Sequence, residues 1–136
     1  MIEASISHSV QFHDTDAMGI VWHGNYYKYF EIVRCHLKRK LGIDVQDLVA
    51  LGYAMPVVTS SAKYFNPLKY GDEITLYASV KDLSYPSLEI NYRVTSRDNK
   101  ILFAEGATKQ FYMSIETRTA CFSVPATIEA ILRKAQ

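Results

Sequence analysis

The hydrophobic periodicity of this chain changes twice, and that limits its fold more than any other feature. From Ile2 to Phe12 apolar and polar residues alternate: Ile6, His8, Val10 and Phe12 share one parity, and Ser5, Ser7, Ser9 and Gln11 the other. Period two over that length predicts a half-buried strand. The stretch from His13 to Gly19, with two aspartates and a glycine, breaks the alternation and reads as a loop. Tyr26, Phe30, Val33, Leu37 and Leu41 then recur at helical spacing, which predicts one face of a helix from about His23 to Leu41. Lys28, Glu31, Arg34, Lys38 and Arg39 fill most of the rest of its circumference. Gly42 follows where a left-handed cap would sit.

A short second helix is expected over Asp44 to Leu51, with Asp44 as cap, Asp47 in its first turn and Gly52 as its end. From Ala54 to Ile115 period two returns. Val57 to Phe65 is rich in β-branched and aromatic residues and stops at Asn66-Pro67. Ile74, Leu76, Ala78 and Val80 alternate with polar neighbours, as do Leu88, Ile90, Tyr92 and Val94 after the break at Ser84-Tyr85-Pro86. Asp98-Asn99 signals a tight turn before a last strand from Ile101 to Met113. Pro125 opens a short terminal helix through Thr127, Ile128, Ile131 and Leu132. A strand, a long helix with one apolar face, and about four consecutive hairpin strands imply an α+β fold, with a long central helix wrapped by a roughly five-stranded antiparallel sheet. A chain of 136 residues suits one domain spanning 1–136.

Composition narrows the function classes. Fifteen Lys and Arg face 14 Asp and Glu, a net charge of +1, which argues against nucleic acid as the principal partner because phosphate neutralisation needs a cationic surplus. The longest stretch without charged or strongly polar residues, Val49 to Val58, contains Gly52 and Pro56 and falls short of the roughly 20 residues a membrane span needs. No basic residue precedes an apolar run near the amino terminus, so no secretory signal is expected. Cys35 and Cys121 form neither a disulfide framework nor a CxxC pair, and a reducing, cytoplasmic setting is the expectation. The serine-hydrolase elbow, the dinucleotide fingerprint, the phosphate loop and the HExxH motif do not occur.

The chemistry concentrates at the junction of first strand and long helix, Phe12 to Tyr27. Asp14 and Asp16 flank Thr15 beside apolar residues, where partial desolvation makes a carboxylate reactive. The helix starts in Trp22-His23-Gly24-Asn25 with no Ser, Thr or Asp cap, so its first N–H groups are free to face a ligand at the positive end of the helix dipole. Gly24 leaves room there for a substrate. A carboxylate beside preorganised N–H donors can run acyl transfer. His13, Asp14, Asp16 and His23 match no helix-borne ligand pair, so neither a metal nor a cofactor is expected. Asp14 fits a structural role better than a chemical one.

The segment Asp14-Thr15-Asp16-Ala17-Met18-Gly19-Ile20-Val21-Trp22-His23-Gly24-Asn25-Tyr26-Tyr27-Lys28-Tyr29-Phe30-Glu31 resembles the signature of the 4-hydroxybenzoyl-CoA thioesterases and the Tol–Pal-associated acyl-CoA thioesterases of the hotdog fold. The resemblance is dense from Val10 to about Arg34 and continues to the end of the chain as strand order. It implies that Asp16 is the catalytic carboxylate and that the backbone N–H of His23 polarises the thioester carbonyl. Within the same motif Gly19, Trp22, Gly24 and Asn25 are assigned to substrate binding, and Asn25 also suits an anchor for the loop or helix cap. The resemblance further implies an acyl-CoA or acyl-carrier-protein substrate. It also implies edge-to-edge pairing into a homodimer or homotetramer, with active sites at the dimer interface. One turn departs from the 4-hydroxybenzoyl-specific pattern: a basic cluster for the CoA phosphates is replaced by Ser84-Tyr85-Pro86, with only Lys81 nearby. Phosphate recognition then falls to Lys63, Arg93 or Arg97, or the acyl group arrives on a carrier protein. A hydroxyacyl-thioester dehydratase and a non-catalytic acyl-thioester binding module are the alternative readings on the same fold.

Overall fold

The computed structural model describes residues 1–136. In chain order it contains β1 (Ile2–Ser9), a single 3-10 turn (Phe12–Asp14), α1 (Asn25–Leu41), α2 (Val45–Ala50), β2 (Tyr53–Ala54), β3 (Val57–Tyr64), β4 (Glu73–Val80), β5 (Ser87–Ser96), β6 (Leu102–Phe111), β7 (Met113–Ser114) and α3 (Ala126–Ala135). The main sheet has five strands in the order β1-β4-β5-β6-β3, and every neighbouring pair is antiparallel. β2 and β7 form a separate two-stranded ribbon. A long helix against one face of a five-stranded antiparallel sheet is the arrangement that the periodicity implies.

α1 buries the stripe expected of it. Tyr26, Phe30, Val33, Leu37 and Leu41 are all buried, joined by Tyr29. They meet the inward parity of the sheet: Ile74, Leu76, Ala78 and Val80 of β4 and Leu88, Ile90, Tyr92 and Val94 of β5. At the centre Phe30 stacks on Tyr92, with ring centroids 4.7 Å apart and planes 12° from parallel. That closeness depends on Gly106 in β6, where a Cβ would stand 2.3 Å from the Phe30 ring and 2.8 Å from the Ser61 carbonyl oxygen. Gly42 ends α1 with φ of 77°, the left-handed conformation glycine adopts without strain, and its N–H reaches the Arg39 carbonyl. Asp44 caps α2 through its side chain, and Asp47 returns a hydrogen bond to the Asp44 N–H.

The last strand ends at Phe111 and not Met113, and three further boundaries differ from the sequence expectation for a local reason. β1 stops at Ser9 rather than Phe12, because the Gln11 N–H is taken by the Asp14 carboxylate and the chain turns. α1 begins at Asn25 rather than His23, since Trp22 to Gly24 form a turn whose carbonyls receive the first helical N–H groups. Pro125 is the cap of α3 and not its first residue. The β2–β7 ribbon was not foreseen.

β3 is an edge strand. β6 pairs with one side of it through Val57 to Tyr64, with a bulge between Val57 and Thr59, and its other side carries no partner strand. Both of its faces are mostly exposed. Val57 and Val58 keep 45% and 46% of their surface in water, and Tyr64 and Phe65 are exposed beside them.

Replacing Gly106 with Ala forces Phe30 off the Tyr92 ring and presses on the backbone of β3. The expected cost is about 1–3 kcal/mol of unfolding free energy in urea titrations. A Gly106→Ala chain as stable as the parent would contradict this packing.

Candidate active site

The loop between β1 and α1 is pinned at its base by Asp14, whose side chain is fully buried. One carboxylate oxygen accepts the Tyr29 hydroxyl at 2.8 Å and the Gln11 N–H at 3.0 Å. The other meets the Lys28 ammonium, with His13 Nδ1 3.3 Å away. Burial alone would raise the Asp14 pKa. The hydrogen bonds from Lys28, Gln11 and Tyr29 outweigh it and hold the group below the usual carboxylate range. Its main-chain carbonyl accepts the Trp22 N–H at 3.0 Å and the Asn25 Nδ2 at 2.8 Å. Asp14 therefore ties the strand end, the loop and the first turns of α1 to one point. Asn25 has its amide turned to this junction, as an anchor.

Beyond Asp14 the loop forms a small hairpin. Thr15 pairs with Val21, the Asp16 N–H donates to the Ile20 carbonyl at 2.8 Å, and the Gly19 N–H donates back to the Asp16 carbonyl at 2.9 Å. Gly19, at φ of 79°, makes the reversal and has no side-chain neighbour to avoid. Ile20 pairs with Lys69 and the Val21 N–H donates to Leu68, so the hairpin is also fastened to the segment after β3. Asp16 sits at the turn, half-buried, with Oδ1 accepting the Met18 N–H at 2.9 Å. No intramolecular hydrogen bond engages its second oxygen.

Asp16 and His23 line one pocket of about 330 Å³, together with Met18, Ile20, Val21 and Tyr26. Its far wall is Tyr64, Phe65, Asn66 and Pro67, the end of β3 and the residues after it. At the start of α1 the N–H groups of His23 and Gly24 donate to no acceptor in the chain, whereas Asn25, Tyr26 and Tyr27 already donate back to Trp22, His23 and Gly24. The Tyr64 hydroxyl donates to the His23 carbonyl at 3.1 Å and holds that turn against β3. Burial pushes the Tyr26 phenol to about 12, and burial also raises Tyr64, so both stay protonated at neutral pH.

The residues of the motif do not all meet in the pocket. Trp22 is half exposed and lies across the helix start, its ring 5.1 Å from that of His23. A Cβ on Gly24 would come within 2.3 Å of the indole, so this glycine makes room for Trp22 and not for an approaching substrate. Gly19 shapes the turn. Of the cations considered for phosphate recognition, Arg93 is paired with Glu3 at 3.1 Å and lies over the Tyr77 ring, and Arg97 is paired with Glu73 at 2.7 Å. The wall from Tyr64 to Pro67 was missed. In the sequence Asn66-Pro67 marked only where a strand stops, and nothing local told that the stop lies opposite Asp16.

A family model described as "Thioesterase-like superfamily" matches residues 10–134 of the chain. An acyl-CoA thioester hydrolase of Escherichia coli, YbgC, is 27% identical over 93 residues, covering 68% of this chain and 69% of that one. A Synechocystis relative is 35% identical over 80 residues, which cover 59% of this chain, and the chain spans only 48% of that longer protein. Among solved structures, a Thermus thermophilus protein superposes with a TM-score of 0.84 at 26% identity, covering 99% of this chain and 98% of its own.

Because Asp14 is depressed in the folded state, its contribution is present above the unfolded carboxylate pKa of ~4 and is lost as pH falls through the lower folded value. Asp14→Asn keeps the shape but weakens three charge-assisted bonds and turns an amide NH2 group toward the buried donors that the carboxylate accepted. The expected loss is about 3 kcal/mol at neutral pH. Between about pH 4 and 2 the variant is expected to lose less further stability than the parent does. Urea midpoints across that range check both; parallel pH profiles would contradict the assignment.

Proposed function

Since the chain belongs to the thioesterase-like superfamily, we propose that it hydrolyses acyl thioesters to the free acid and thiol in the pocket between the loop hairpin and the end of β3. One observation carries the reading. A half-buried carboxylate with an unengaged oxygen, Asp16, shares a pocket with the helix start where the His23 and Gly24 N–H groups have no acceptor. Placed at those N–H groups, the thioester carbonyl meets donors and the positive end of the α1 dipole, which stabilise the oxyanion as it forms. Each such donor supplies on the order of 3 kcal/mol.

The leaving group sets how little else is needed. A thiol of pKa ~8.5 departs readily as thiolate, so no strong general acid is required. Asp16 acts in one of two ways. As a base it takes a proton from water while the hydroxide oxygen bonds to the carbonyl carbon. As a nucleophile it bonds to that carbon itself, and water then cleaves the resulting anhydride. Single-turnover hydrolysis in oxygen-18 water separates them. A base puts label in the product acid at the first turnover, and label in Asp16 with an unlabelled product acid identifies a nucleophile whose anhydride water opens at the Asp16 carboxyl carbon.

The acyl group is delivered on CoA or on an acyl carrier protein. With Arg93 and Arg97 held by Glu3 and Glu73, Lys63 is the cation of the three considered that remains outside an ion pair. Turnover of one acyl group on the two carriers decides between them. Pairing of two copies through β3 into a homodimer, or a tetramer of two dimers, is supported by the free edge and by the exposed Val57, Val58, Tyr64 and Phe65 along it. The two free cysteines accord with a cytoplasmic setting.

Asp16→Asn preserves the Met18 N–H bond, since an amide oxygen also accepts, while removing both base and nucleophile. Thiol release from acyl- and aryl-CoAs is expected to fall by at least about 10³-fold with the melting temperature unchanged. Normal turnover in Asp16→Asn ends the assignment. Tight acyl-thioester binding without thiol release by the parent would favour a binding module, and dehydration of hydroxyacyl substrates a dehydratase.

A further inference from the structure

Lys38 of α1 packs its stem among α2 and the β2–β7 ribbon and is only 8% exposed as a residue, while its ammonium keeps contact with water and takes part in none of the ion pairs and none of the side-chain hydrogen bonds. It forms one wall of a second pocket, of about 280 Å³, whose other walls include Val45, Leu48, Val49, Tyr53, Met55 and Met113. Burial lowers its pKa, and Arg34 one turn earlier adds to that; Cys35 and Asp44 act in the opposite direction. An ammonium on the wall of an apolar pocket, with no carboxylate paired to it, is a ready counter-charge for an anion brought into that pocket.

Within one chain this pocket and the Asp16 pocket stand at opposite ends of β3: Met55 and Pro56 line one, Tyr64 and Phe65 the other. A two-fold pairing of β3 with its own copy changes that. Directly opposed residues of an antiparallel pair point to the same face of the sheet, so the pairing must be centred on a residue, not between two. Ser60 and Ser61 are the central residues of Val57–Tyr64. Centring on either uses nearly the whole strand, and sets Tyr64 of one copy opposite Pro56 or Val58 of the other. In both registers the Lys38 pocket of one copy abuts the Asp16 pocket of the next.

We propose that Lys38 of one copy closes the distal end of the acyl site of its partner, and that this site takes acyl groups bearing a second, terminal carboxylate. The apolar walls hold the methylene chain, and the ammonium meets the terminal carboxylate in place of water. This rests on the thioesterase reading, and the experiment keeps the two apart. Adipoyl-CoA and hexanoyl-CoA differ only in that end group. The parent is expected to favour adipoyl-CoA in kcat/KM by roughly tenfold or more, and Lys38→Met to erase that ratio, while Lys38→Arg keeps most of it. A ratio that Lys38→Met does not move, or a parent without preference, overturns the proposal.

Binding of non-hydrolysable CoA thioethers with the same two tails tests the anchor without turnover. If the parent cleaves neither thioester but still prefers the carboxylate-ended thioether through Lys38, the hydrolase reading falls and the anchor stands. Equal binding of both tails refutes the anchor, whatever the hydrolysis. Mixing Asp16→Asn chains with Lys38→Met chains then tests the crossing of the interface. Each mixed dimer has one site with both residues intact only if Lys38 serves the partner's site, so the adipoyl preference that Lys38→Met chains lack reappears on mixing. No recovery places Lys38 in its own chain's site and overturns the proposal.

Discussion

The buried carboxylate of Asp14 is the contact on which the geometry of the site depends. A loop that carries a reactive acid has to be held within a fraction of an ångström of the groups it works with, and loops do not hold themselves. Asp14 solves this with both of its polar ends. Its carboxylate takes Lys28 and Tyr29 from the first turns of α1 and the N–H of Gln11 from the end of β1, while its carbonyl takes Trp22 and Asn25 from the helix start. The strand end, the loop and the helix start meet at one residue with no exposed surface. The withdrawal of a charge from water is offset because both carboxylate oxygens accept hydrogen bonds, one of them from a cation. Two residues on, Asp16 is free to be half-buried and underused because its neighbour carries the structural load.

The two aspartates thus divide a single problem, and the division follows from their partners. Asp14 is kept ionised by a cation and two further donors, which makes it a poor base. Asp16 keeps one oxygen in a local turn and leaves the other for whatever enters the pocket. The helix start shows a similar division. Asn25, Tyr26 and Tyr27 satisfy their N–H groups at once by reaching back to Trp22, His23 and Gly24, so the donors without acceptors are confined to His23 and Gly24. Trp22 folds its indole over Gly24 and Tyr64 grips the His23 carbonyl, fixing the direction in which those two N–H groups point.

Much of this was legible from residue order. The stripe Tyr26-Phe30-Val33-Leu37-Leu41 names the buried face of α1, because a helix of this length has no other apolar side to bury. The alternations in β4 and β5 name the inner face of the sheet for the same reason. Asp44 with Asp47 shows α2 before any coordinates, since a capping box is local chemistry. What stayed hidden depends on register. The strand order, with β3 beyond β6, and the position of Gly106 under Phe30 arise from pairings between residues far apart in the chain. The same holds for Tyr64 to Pro67 as the wall facing Asp16. Gly24 was misread because its neighbour across space is also its neighbour in sequence: the residue that needs the missing Cβ is Trp22, two positions earlier, and not a ligand.

The same dependence on register explains why β3 matters beyond its own chain. As an edge strand it contributes little to the core of its own subunit, and its residues are mostly exposed. A strand in that position with apolar side chains would invite unspecific pairing unless its pairing were part of the design. Its two ends are the borders of two pockets, one with a carboxylate and free N–H donors, the other with an apolar wall and the unpaired ammonium of Lys38. Paired as proposed, a second copy of that edge would do more than hide Val57 and Val58 from water: it would join the two pockets into one site whose chemistry differs at its ends.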